Sequence, residues 1–204
     1  MPNGISSRHL AMWIRAESIL RIKGAGSEEA QHILESVGTL PPDESSLPSA
    51  GILGSWALIC ATDATQGHPQ KKPQLDRFRK CVEEALAAHT EWPPLVRAEC
   101  AFAVGHSWQN GPDFNVNTTK QWFRRAEELY IQSGIRSESD RLKTSWGHLL
   151  TLLYELGDAV VLLEESRAVR EQKNDVTGQS FVFGCLGDAY SRLGQFDRAY
   201  QCYQ

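Results

Sequence analysis

The side chains able to do chemistry are dispersed along the 204-residue chain. A metal site needs His, Cys, Asp or Glu at short regular spacings. The six histidines, His9, His32, His68, His89, His106 and His148, form neither an HxH nor an HExxH pattern. The five cysteines, Cys60, Cys81, Cys100, Cys185 and Cys202, contain no CxxC pair, and their odd number suits reduced core thiols better than a disulfide framework or a zinc site. No GxxxxGKS-type phosphate loop is present, and Gly24-Ala-Gly26 before Ser27 reads as helix punctuation. There is no GxSxG elbow, and the carboxylate pairs Glu83-Glu84 and Glu164-Glu165 diverge by about 100° on a helix, which puts them on solvated faces. One enzymatic pairing remains, His106 as base with Asp188 as orienter, without a nucleophile beside it. The expectation is no enzyme, no metal and no cofactor.

The charge balance points the same way. Lys and Arg total 21 against 25 Asp and Glu, a net charge of −4, which repels a phosphate backbone and disfavours nucleic acid as partner. Basic residues at Lys71-Lys72, Arg77-Arg79-Lys80 and Lys120 with Arg124-Arg125 read as solubilising charge. No apolar run approaches the roughly 20 residues that span a bilayer, and the first residues lack the order of a secretory signal. No membrane insertion is expected, and the expected compartment is the cytoplasm, with the nucleus as the alternative. Without secretion, the Asn117-Thr118-Thr119 sequon carries no meaning.

With 41% hydrophobic residues the chain can bury a core, and the pattern of those residues is helical. Apolar periodicity predicts helices at about 7–22, 27–37, 49–65, 74–89, 93–109, 118–133, 138–156, 158–172, 177–193 and 195–204. Glycines at Gly24, Gly26, Gly157 and Gly194 mark breaks, and proline-bearing polar loops fall at 38–48, 66–74 and 109–117. The stretch 41–48 reads as a solvated connection.

These helices pair off, and the pairs repeat. Phe183, Leu186, Gly187, Tyr190, Leu193 and Gly194 line one helical face, and Trp146, Leu149, Leu150, Leu153, Leu156 and Gly157 follow the pattern 37 residues upstream. Ala101, Val104, Gly105 and Trp108 match 45 residues before that, then Trp56, Ile59, Cys60 and Gly67, then Trp13, Ala16, Leu20 and Gly24. Hairpins of this kind cannot cover their own apolar faces and must stack on neighbours. The sequence therefore predicts one continuous domain over 1–204, with units at about 7–37, 49–89, 93–133, 138–172 and 177–204. The last unit stops near Gln204 with Tyr200 and Tyr203 unpaired, the pattern of a fragment or of a chain that meets a partner there.

Leu186-Gly187-Asp-Ala-Tyr190, then Gly194-Gln-Phe196 and Ala199 through Tyr203, resembles the tetratricopeptide repeat. The approach through Asn174-Asp175 and Gly178-Gln179 is similar to the long linkers of kinesin light chains and of scaffolds with Leu-Gly-Asn repeats. The resemblance implies an all-α, right-handed α-solenoid of about five hairpins whose first helices line a concave groove. It also implies contact positions at Glu99, Phe102, His106 and Gln109, at Thr144, Gly147, Thr151 and Tyr154, and at Phe181, Gly184, Asp188 and Ser191. The lysine and arginine clamps that chaperone-binding members use for a terminal carboxylate are missing from these slots. The implied function is a scaffold or adaptor that takes a peptide or partner protein in the groove. A ligand-sensing or autoregulatory module of a larger signalling protein is the alternative.

Overall fold

The computed structural model describes residues 72–88, 90–134 and 140–204; the expected helices at 7–22, 27–37 and 49–65, with Trp13, Trp56, His9, His32, His68, His89 and Cys60, lie outside the described residues. The described residues form seven helices: α1 (Lys72–Ala88), α2 (Pro94–Asn110), α3 (Val116–Ser133), α4 (Asp140–Leu152), α5 (Leu156–Gln172), α6 (Val176–Arg192) and α7 (Phe196–Tyr203). Among the described residues there is no strand. The chain divides into two compact units, Met1–Ser133 and Gly134–Gln204.

In the first unit α2 packs against α1 and α3. Pro94 opens α2, where a missing N–H costs nothing. Asn115 caps α3, its side chain accepting from the Thr118 N–H at 2.9 Å. Arg79, which the sequence placed in a solubilising cluster, is instead 2% exposed. Its Nε donates to Ser107 Oγ at 3.0 Å, one Nη donates to both Asp113 oxygens at 3.0 and 2.9 Å, and the other to the Ser107 carbonyl at 2.6 Å. Its guanidinium also lies 3.9 Å above the Trp108 ring. Burial pushes the Arg79 pKa down against the pull of Asp113. Burial would raise that of Asp113, but the hydrogen bonds and charge of Arg79 outweigh it and hold the carboxyl below its ordinary value. A Cβ at Gly111 would fall 2.6 Å from both Arg79 Nη2 and the Ser107 carbonyl, so this joint requires glycine there.

In the second unit the connections are uniform. Tyr154, Asn174 and Gly194 stand 20 residues apart in the left-handed region, with φ of 62°, 53° and 73°. After each, the next N–H reaches back to a helical carbonyl: Glu155 to Leu150 at 2.9 Å, Asp175 to Arg170 at 3.0 Å and Gln195 to Tyr190 at 2.9 Å. Consequently α5, α6 and α7 begin at Leu156, Val176 and Phe196, again 20 residues apart. The break expected at Gly157-Asp158 is corrected to 153–155, because Tyr154 takes the left-handed turn and Gly157 lies inside α5.

This also corrects the repeat spacing from 37 to 40 residues. Gly147 on α4 faces Leu163 on α5, where a Cβ would approach Leu163 Cγ to 2.6 Å; Gly187 on α6 faces Tyr203 on α7, whose ring a Cβ would overlap. Gly105 faces Phe123 in the first unit at 2.6 Å. Phe123, Leu163 and Tyr203 are 40 residues apart, as are the buried small residues Thr119, Ala159 and Ala199. Each hairpin thus seats one large side chain against one glycine, and the missing Cβ lets the helices close. The core between hairpins comprises Leu163, Val182, Cys185, Leu186, Ala189, Tyr190 and Ala199. A fully buried side chain such as Leu163 or Leu186 contributes about 1.5–3 kcal/mol.

A second buried arginine ties the helix ends together. Arg170, 7% exposed, pairs with Asp140 at 3.3 Å and with Asp175 at 2.9 Å. Asp175 in turn caps α6 by accepting from the Gly178 N–H at 2.9 Å. The start of α4, the end of α5 and the start of α6 therefore share one polar junction.

Candidate partner-binding face

Within the second unit α4 and α6 pack side by side, each the first helix of a hairpin. The 40-residue spacing pairs Arg141, Thr144, His148 and Thr151 on α4 with Phe181, Gly184, Asp188 and Ser191 on α6. The sequence therefore named the α6 set in the register seen and slipped by three residues on α4. It missed Arg141 and His148; Gly147, which it placed on the groove, serves the α4–α5 crossing, and Tyr154 stands exposed at the turn that follows α4. The signal that finds them is the alignment of Gly147 with Gly187 in place of Trp146 with Phe183.

The two threonines are scaffold. Thr144 and Thr151 are each 1% exposed. Thr144 Oγ1 donates to the Asp140 carbonyl at 2.9 Å and lies 2.7 Å from Ser166 Oγ, while Thr151 Oγ1 donates to the Gly147 carbonyl at 2.9 Å. Their hydroxyls are committed to the interior and cannot contact a ligand.

What remains outward is a compact set on α6 with α4 beside it. Phe181 is 54% exposed, and a Cβ at Gly184, one turn on, would meet nothing within 4 Å. Asp188 and Ser191 are exposed. Asp188 accepts from the Tyr203 phenol at 2.7 Å, and this bond chiefly pushes the Tyr203 pKa up to about 12, so the phenol stays protonated and donating. His148, half-buried, has its pKa lowered mainly by burial; Asp188 raises it and Arg192 lowers it further. The imidazole is therefore neutral near pH 7 and offers both a donor and an acceptor. Arg192 sits 4.9 Å over the Tyr154 ring.

In the first unit the expected positions are more closed. Glu99 accepts from the Tyr130 phenol at 2.7 Å. Phe102, 5% exposed, has its ring 6.1 Å from Phe123 and 5.4 Å from His106. Gln109 is 8% exposed, and His106 is half-buried beside Phe102. Phe102 and Gln109 thus belong to the packing of α2, leaving Glu99 and His106 as the more accessible members.

Cys185 is buried, and burial pushes its thiol up to about 12, which keeps it protonated and unreactive. Among the described residues no three His, Cys, Asp or Glu side chains converge as a metal site would need. Among them, too, no helix is long and apolar enough to cross a membrane. No protein-family model matches the chain, and no curated protein matches it.

Proposed function

We propose that this chain is a non-enzymatic adaptor of tetratricopeptide type, a right-handed solenoid of hairpins that binds a segment of a partner protein along its first helices. The observation that carries the reading is the α4–α6 face, where exposed Phe181 stands beside the open space over Gly184, flanked by Asp188, Ser191 and His148. An apolar anchor beside donors and acceptors is the combination that holds an extended backbone and one side chain of a bound segment. The glycine-to-large pairs recurring in three hairpins support the repeat class.

The test is affinity capture on the immobilised chain, comparing wild type with Phe181→Ala combined with Asp188→Ala, both exposed sites outside the core. Proteins retained by wild type and lost by the folded variant are the expected result. Equal retention by both would remove the face from consideration, and retention by neither would favour the ligand-sensing alternative.

A further inference from the structure

The turn between α4 and α5 carries a residue that the fold itself does not ask for. At its left-handed position, φ 62°, stands Tyr154, whereas the equivalent positions hold Asn174 and Gly194, which reach this region at little cost. Among the described residues no hydrogen bond of the side chain offsets that cost. Its side chain leaves the residue 69% exposed, and among the described residues its phenol has no hydrogen-bond partner. The ring does one thing, which is to support Arg192 at 4.9 Å. Arg192 in turn has no ion pair among the described residues.

A guanidinium stacked on an aromatic face keeps its N–H edge open, and that edge matches a carboxylate with two parallel hydrogen bonds. Stacking also fixes the orientation beforehand, so little freedom is lost when an anion docks. Leu193 follows Arg192 in the chain and Leu152 stands two residues before Tyr154; both are exposed, at 40% and 42%, and so are open to an apolar residue of the segment. We propose that Tyr154 and Arg192 form a receptor for an acidic side chain, borne next to an apolar residue on a bound protein segment. Strain at Tyr154 is retained because the ring presents Arg192. This rests on the reading of the α4–α6 face as a protein-binding surface, to which it adds the chemistry of the ligand.

The probe is a phage library of random dodecapeptides selected on the full chain. The expected consensus carries Asp or Glu beside an apolar residue. A synthetic consensus peptide should bind Arg192→Gln about tenfold more weakly, and exchanging its acid for the amide should cost wild type as much and the variant nothing further. Tyr154→Gly should weaken the same peptide while raising Tm by about 5 °C, because the strain is gone. A consensus without an acid, or an acidic one indifferent to Arg192→Gln, overturns the receptor. If such a peptide is still lost on Phe181→Ala, the wider reading of the face survives. A Tm that falls in Tyr154→Gly overturns the argument from strain, and failure to select any peptide overturns both readings.

Discussion

Gly184 and Gly187 lie one turn apart on α6 and meet opposite surroundings. A methyl group at Gly184 enters open space, whereas one at Gly187 runs into the Tyr203 ring. Gly184→Ala should therefore stabilise the protein by about 0.5–1 kcal/mol through reduced backbone entropy of the unfolded chain. Gly187→Ala should destabilise it by about 1–3 kcal/mol through overpacking. Urea titration of both variants checks the sign at each position. At His148 the pKa is depressed from its ordinary 6.5, so the folded state holds the proton less well than the unfolded chain. The associated stability is complete above about pH 6.5 and is lost as pH falls through the folded pKa. Melting curves between pH 8 and pH 5 should show wild type losing more Tm than His148→Gln; equal losses would show that the imidazole does not couple to folding.

At the scale of helices, the two buried arginines do the joining that apolar contact does elsewhere. Arg79 links α1 to the end of α2 and to the following loop through Ser107 and Asp113. Truncation in Arg79→Ala empties a buried site and leaves Asp113, itself partly exposed, without its main partner. A cost of about 3 kcal/mol is expected, with Asp113→Asn costing less because the arginine retains Ser107. Denaturant midpoints of the two variants decide the order. How far these elements are legible from sequence depends on the residue at each boundary. Pro94 and Gly194 announce the start of α2 and the end of α6, and expectation and structure agree there within a residue or two. The end of α4 is hidden because a tyrosine sits where a glycine or asparagine would signal a stop, while Gly157 three residues beyond misleads. One wrong boundary shifts the repeat by three residues, which is why Arg141 and His148 escape notice and why the interior Gly147 is read as part of a groove. Nor does the sequence reveal that Thr144, Thr151 and Arg79 are interior: Thr144 and Arg79 meet partners distant in the chain, and Thr151 returns its hydroxyl to the Gly147 carbonyl of its own helix.

For the molecule as a whole, stability should be graded rather than uniform. Both α5 and α6 have packed helices on two sides, while among the described residues α7 packs mainly on α6. Native-state hydrogen exchange should find the slowest amides of the second unit around Leu163 and Leu186, and α7 should exchange well before them. Equal protection across the unit would show a single cooperative block instead.

The even placement of Tyr154, Asn174 and Gly194 has a consequence for how such a chain can change length. Each turn is interchangeable with the next, so excising residues 156–195 would join Glu155 to Phe196 with the turn intact, and Gly147 would receive Tyr203 in the seat Leu163 now fills. Duplication of the same stretch would extend the array by the same rule. Loss or gain of 40 residues therefore keeps both the turn geometry and the helix register, whereas an insertion of any other length would have to be absorbed in a loop.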